Sequence, residues 1–134
     1  MVDLANVPVV DTDILIDYLR GQGPGAELLS ELGPGRYLVT AVSAFELALG
    51  SSHRQNPGPV IALLDTPTLA LTPRAGLLGG EALATLRREG QRIDVRDALQ
   101  AGVCLDADRP LVTRNVGHFA RIAGLRVVPP QDWR

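Results

Sequence analysis

The chain has 134 residues, a formal charge of −2, and 46% apolar against 21% charged side chains, the composition of one globular domain with a sizeable core. Aromatic residues make up only 4%, which argues against a stacking platform for nucleobases, and the acidic balance argues against a broadly basic nucleic-acid-binding face while leaving room for a local arginine cluster. All thirteen basic residues are arginine, so phosphate contacts must come from guanidinium groups, backbone amides or metal, and no lysine-dependent mechanism is available.

Strand and helix patterns alternate along residues 1–134, predicting a single α/β domain with a central, mostly parallel sheet of four to five strands flanked by helices. A strand is expected over Pro8–Asp11 and a helix over Thr12–Arg20, with Ile14, Leu15, Tyr18 and Leu19 on one apolar stripe and Gly21 as its stop. A short helix follows over Ala26–Leu32, broken by Gly33-Pro34-Gly35, then a strand over Tyr37–Thr40 and a helix from Ser43 to Gly50. Ser51–Pro59 is polar and punctuated by Pro and Gly, so a loop is expected there. A short helix over Val60–Leu64, a strand over Leu69–Leu71 and a long helix with internal glycines over Pro73–Glu89 come next. Asp94–Leu105 reads as another helix, Pro110–Thr113 as a strand, Val116–Ala120 as a short helix and Leu125–Val128 as the last strand. No apolar run approaches the roughly 20 residues that span a membrane, and Met1-Val2-Asp3 lacks the basic start of a secretory leader. With its lone Cys104 inside an apolar helical stretch, the chain is expected to be a soluble cytoplasmic protein.

Four polar residues share a similar local address. Asp11 ends the first strand, Asn115 follows the strand that ends at Thr113, and Glu46 and Asp97 lie near the starts of helices. On neighbouring parallel strands they would meet in one crevice at the carboxyl edge of the sheet, where open α/β folds place ligands. Carboxylates converging there suit a hard divalent cation and metal-dependent phosphodiester chemistry. Each has a structural alternative: Ser43-x-x-Glu46 is a capping box, Asp94-x-x-Asp97 an N-cap with a favourable charge in the first turn, and Asn115 a cap for the helix after it. Asp11 is the hardest to explain structurally, since an acid ending a buried strand is costly unless paired or metal-bound. Asp13 is a supporting candidate, whereas Asp17, Asp106 and Asp108 look like helix-face or loop acids. His53 and His118 have no partner at zinc-ligand spacing and read as surface or satisfied histidines. No glycine-rich nucleotide loop is present.

Val10-Asp11-Thr12-Asp13-Ile14-Leu15-Ile16, Ser43-Ala44-Phe45-Glu46-Leu47, Asp97-Ala98-Leu99-Gln100-Ala101 and Leu111-Val112-Thr113-Arg114-Asn115-Val116-Gly117-His118-Phe119 together resemble the PIN-domain ribonucleases, and among them the VapC-type toxins of toxin–antitoxin pairs. The ordered set spans nearly the whole chain. The resemblance implies an endoribonuclease dependent on magnesium or manganese, with Asp11, Glu46 and Asp97 as the acidic metal-site residues and Asn115 at a fourth position that is often acidic. His118 stands where some relatives carry an acid, and Thr12 and Thr113 match hydroxyl positions that order the site. It also implies an RNA substrate, a homodimer and an antitoxin partner whose tail covers the site. In the matching mechanism, with a cation held by Asp11 and Asp97, Glu46 orients or deprotonates the attacking water, and Arg114, then Arg92 and Arg96, are the candidate phosphate contacts.

Two rival readings stand beside this one. A PIN-like module that binds RNA or a partner without cutting is suggested by the missing acid at position 115. A haloacid-dehalogenase-type phosphatase is suggested by Asp11-x-Asp13, but Leu15 stands where those enzymes carry a hydroxyl residue or valine, and the lysine they usually use is absent.

Overall fold

A computed structural model of the chain describes residues 6–133; Met1-Val2-Asp3 lies outside them. The segment Val9–Val10 forms β1, with both residues fully buried, as expected of a strand covered on both faces. It pairs in parallel with β4 (Leu111–Val112), Val9 opposite Leu111 and Val10 opposite Val112, and β4 pairs in parallel with β5 (Val127–Val128). On the other side, β2 (Val39–Thr40) pairs in parallel with β3 (Thr68–Leu69). A parallel bridge between Val9 and Leu38 joins the two ladders, with Leu38 N donating to Pro8 O at 2.8 Å and Val10 N to Leu38 O at 3.0 Å. The spatial order is therefore β3-β2-β1-β4-β5, and the direction of winding reverses between β1 and β4.

Alternation along the strands divides the core. Val10, Val39 and Val112 face one cluster with Ile14, Leu15, Leu28 and Leu29 of α1 (Thr12–Arg20) and α2 (Pro24–Leu32). Val9, Leu38 and Leu111 face the other, with Leu86, Ala101, Cys104 and Phe119 of α6 (Pro73–Arg88), α7 (Val95–Ala107) and α8 (Val116–Phe119). The remaining helices are α3 (Ala41–Leu49), α4 (Ser51–Gln55) and α5 (Gly58–Leu63), and a 3-10 turn covers Pro130–Asp132. The α/β architecture with a parallel sheet matches the expectation from sequence. Cys104 is buried and free. Among the described residues, no helix is long and apolar enough to cross a membrane.

Three local expectations are corrected. Ser51–Gln55 is a helix rather than part of a loop; it buries no side chain, so no apolar period marks it. Tyr18 is exposed rather than part of the buried stripe of α1. Asp17, read as a surface acid, is buried, and its Oδ2 accepts the Gly25 amide at 3.2 Å in the first turn of α2. Side chains at positions 23 and 25 would collide with this carboxylate, a Cβ falling within 2.9 Å and 2.8 Å of its Oδ2.

Helices α6 and α7 touch backbone to backbone through Gly79 and Gly102. A Cβ on Gly102 would lie 2.1 Å from the Ala75 carbonyl oxygen, whereas one on Gly76 would meet nothing within 4 Å. Gly102→Ala is therefore expected to destabilise the fold by about 1–3 kcal/mol through overpacking, and Gly76→Ala to stabilise it by up to about 1 kcal/mol through helix propensity. Urea unfolding of the two variants checks this contrast.

Candidate active site

Asp11 leaves the carboxyl end of β1 and caps α1, its Oδ1 accepting the Thr12 amide at 2.9 Å. Thr113 leaves the carboxyl end of the neighbouring β4 and donates its hydroxyl to Asp11 Oδ2 at 2.8 Å. The two residues meet where the winding reverses, the position at which open parallel sheets form a crevice.

The third partner of Asp11 is Gln100, fully buried on α7, whose Nε2 donates to Asp11 Oδ1 at 3.1 Å and to Ser43 Oγ at 3.0 Å. With Nε2 turned to Asp11 and Ser43, Oε1 accepts the hydroxyl of Thr40, and Thr40 in turn accepts the Ser43 amide at the start of α3. Thr12 has one hydroxyl proton, which goes to Glu46 Oε1 at 2.9 Å. Ser43 must then donate to Thr12 Oγ1, 2.9 Å away. A directed chain of neutral donors thus runs from Gln100 through Ser43 and Thr12 to Glu46, while the other Gln100 N–H serves Asp11.

Asp97 lies one turn before Gln100 on α7, on the same side of the helix. Its Oδ2 is 3.0 Å from His118 Nε2. Asp13 Oδ2 accepts the Arg114 amide at 3.0 Å and lies 3.3 Å from the Thr113 hydroxyl. That hydroxyl has a single proton and Asp11 is nearer, so Asp13 receives the weaker share. Asp13 Oδ1 is buried with no hydrogen-bond partner among the described residues.

Several expected roles change. Helix α3 begins at Ala41 with Thr40 as its N-cap, so Ser43 and Glu46 form no capping box; Glu46 is half-buried in the second turn and faces Thr12. Asp94 does cap α7, its Oδ1 accepting the Arg96 amide at 2.8 Å. Asn115 is exposed and makes no side-chain cap, although its amide donates to Thr113 Oγ1 at 3.1 Å. The residue brought to the acids is His118. Arg114 is tied to acids, with Nε 3.3 Å from Asp17 and 3.9 Å from Asp13. Arg96 pairs with Asp94 at 3.2 Å on the surface yet lies near enough to Glu46 and Asp97 to oppose the burial-driven rise of both carboxyls, and Arg92 is exposed with its carbonyl accepting Arg121. The sequence marks neither Gln100 nor Thr40, and marks Ser43 only as a helix cap. The signal for Gln100 is a polar side chain among the buried Ala98, Ala101, Val103 and Cys104 of one helix.

Neutral donors do not cancel a buried charge. Burial, reinforced by the charge of Asp13, pushes the Asp11 carboxyl up to about 7 against the opposing hydrogen bonds of Thr113, Thr12 and Gln100. Burial also raises Asp13, Glu46 and Asp97, and the negative neighbours Asp97 and Asp94 add to the rise at Glu46. Among the described residues, no three His, Cys, Asp or Glu side chains gather into a metal cage. An acid-rich crevice with an orphaned carboxylate oxygen still fits a hard cation such as magnesium, which takes one or two carboxylates and completes its shell with water and substrate phosphate. A cavity of about 350 Å³ extends from Glu46 between α1, α3, α4 and α5, lined also by Arg20, His53 and Asn56. Neither Asp11 nor Asp97 lines it.

No protein-family model matches the chain. It is similar to the tRNA(fMet)-specific endonuclease VapC of Shigella flexneri, 25% identical over 130 residues covering 93% of this chain and 96% of the relative. It is also similar to ribonuclease VapC19 of Mycobacterium tuberculosis, 29% identical over 124 residues covering 91% and 98%. Among solved structures, a DNA-bound VapBC from Salmonella typhimurium matches with a TM-score of 0.77 at 19% identity over 93% of this chain and 98% of that one. A toxin–antitoxin complex from Klebsiella pneumoniae matches with a TM-score of 0.68 at 25% identity, over 92% and 97%. The fold is that of the VapC-type PIN domain over nearly the whole length, as the sequence motifs implied.

The raised Asp11 carboxyl has a signed consequence. Its folded value near 7 exceeds the unfolded one of 3.8, so its contribution to stability is complete below about pH 4 and is lost as pH rises through 7. Without divalent cations, the part of the thermal midpoint that depends on Asp11 should fall between pH 5 and pH 8, and Asp11→Asn should flatten that fall. Added Mg2+ should raise the midpoint at pH 8 far more than at pH 5. Thermal scans across pH with and without Mg2+ check all three.

Proposed function

We propose that this VapC-like PIN domain is a metal-dependent endoribonuclease, the toxin of a toxin–antitoxin pair, hydrolysing RNA phosphodiester bonds in the crevice at the ends of β1 and β4. The observation that carries the reading is the buried Asp11 beside the half-buried Asp13, met by neutral donors and a half-exposed arginine, with one buried carboxylate oxygen of Asp13 left unpartnered. Groups so placed are costly in an idle protein and useful beside a cation and a phosphate.

Asp11 and Asp97 are the residues to hold Mg2+ or Mn2+, with Glu46 and Asp13 alongside. When bound, the cation supplies positive charge to the phosphate oxygens and makes water a better nucleophile near neutral pH. The chain's own residues do the rest. Thr12 and Ser43 hold Glu46, whose burial-raised carboxyl is tuned to orient the attacking water and accept its proton. Thr113 and Gln100 fix both oxygens of Asp11. Arg96, beside Glu46 and Asp97 with an exposed side chain, is the favoured phosphate contact. Arg114 spends its charge on Asp13 and Asp17 and shapes the site from its rim. Water attacks phosphorus as Glu46 takes its proton, the P–O bond to the leaving oxygen breaks, and that oxygen takes up a proton from solvent while Glu46 returns its own to solvent.

The relatives named VapC support the ribonuclease assignment, and the solved VapBC complexes support an antitoxin partner. Homodimerisation and action in the cytoplasm belong to the same proposal.

Purified antitoxin-free protein incubated with total cellular RNA and Mg2+ should yield discrete fragments. EDTA should abolish them, and Asp11→Asn should slow their formation at least about 100-fold, the loss expected when several kcal/mol of charge stabilisation disappears. Folded protein that leaves RNA intact while still retaining it on a filter would replace this reading with the non-cutting module.

A further inference from the structure

His118 and Arg121 form a second layer behind Asp97. Every part of the Arg121 guanidinium is engaged: Nε donates to the His118 carbonyl at 3.0 Å, Nη1 to Gln91 Oε1 at 3.4 Å, and Nη2 to the Arg92 carbonyl at 2.8 Å. The same Nη2 lies 3.3 Å from His118 Nδ1. These bonds tie the turn after α8 to the α6–α7 connection. The His118 ring also meets the buried Phe119 ring edge-on, with centroids 5.9 Å apart.

A guanidinium has donors and no lone pair. A ring nitrogen facing one must therefore present its own lone pair, so Nδ1 is the acceptor and the ring proton sits on Nε2. That proton points at Asp97 Oδ2, 3.0 Å away. A ring nitrogen that carries a proton cannot ligate a cation. His118 occupies the acid's place yet is held in the tautomer that donates.

We propose that His118 is a positioning residue and not a metal ligand: Arg121 locks its Nε2–H tautomer, and that N–H clamps Asp97 Oδ2 so that the other carboxylate oxygen turns to the crevice. The role rests on the nuclease reading of Asp97, but the tautomer can be measured apart from it. Outer partners of metal-binding carboxylates act in this way, and their removal costs about 10–100-fold in metal affinity or activity.

The chain has only two histidines, so long-range nitrogen–proton NMR of the full chain resolves both rings, with His53→Gln assigning them. The expected result is an unprotonated Nδ1 and a protonated Nε2 on His118, both unchanged at saturating Mg2+. Arg121→Met should release the lock and mix the tautomers. His118→Ala should weaken Mg2+ binding, read by calorimetry, or kcat by about 10–100-fold, while His118→Gln, whose amide N–H can reach Asp97, should stay within about threefold. A proton on Nδ1 in the free protein, or loss of the Nε2 proton on adding Mg2+, overturns the proposal. So do equal losses in the Ala and Gln variants with unchanged thermal midpoints. A chain that binds Mg2+ with the Nε2 proton intact and the Ala–Gln difference present, yet cuts no RNA, defeats the nuclease reading and leaves the clamp standing.

Discussion

The site depends on one amide. Gln100 faces Asp11 and Ser43 with its N–H groups, while Thr40 donates to its carbonyl oxygen. From that orientation the direction of each following hydrogen bond is determined as far as Glu46. The amide also sets the electrostatics, since it satisfies Asp11 geometrically while adding no positive charge. Replacing Gln100 with a cation would quench the carboxylate, and with an apolar residue would strand it. Between those extremes lies a carboxyl poised near neutrality and open to a cation.

The sheet brings this amide to its partners. Parallel strands with both faces covered bury β1 and β4 completely, so any polar residue at their carboxyl ends emerges into a crevice already shielded from water. The reversal of winding between those two strands leaves the crevice unroofed. Gly79 and Gly102 let α7 approach α6 closely and thereby help fix the helix that carries Asp97 and Gln100. Asp17 holds the start of α2 and, through Arg114, the rim of the site. Packing and chemistry meet in the same few residues.

What could be read from the sequence was what local pattern encodes. Asp11 stands out because an acid at the end of an apolar strand has no inexpensive structural excuse, whereas Thr113 is legible only through the resemblance, the local pattern pointing instead to Asn115. Glu46 looked like half of a capping box, since Ser43 lies three residues before it; only the structure shows the helix starting at Ala41. The role of Gln100 depends on partners 57, 60 and 89 residues away, which no window of sequence contains. The sequence marks His118 only as a surface or satisfied histidine because its partner Asp97 lies on another element, and it offers Arg114 as a phosphate contact because the acids that hold it, Asp13 and Asp17, are distant in the chain. Helix α4 escaped notice because it buries nothing.

The central claim is that a divalent cation binds the buried Asp11 carboxyl in competition with a proton, because burial pushes that carboxyl up to about 7. Calorimetric titration of the metal-free protein with Mn2+ near pH 6.5, repeated in buffers of different ionisation enthalpy, measures that exchange directly. The account predicts net proton release on binding, shrinking toward zero by pH 8.5 and lost in Asp11→Asn. Binding without proton release at pH 6.5, or undiminished binding to Asp11→Asn, would contradict it.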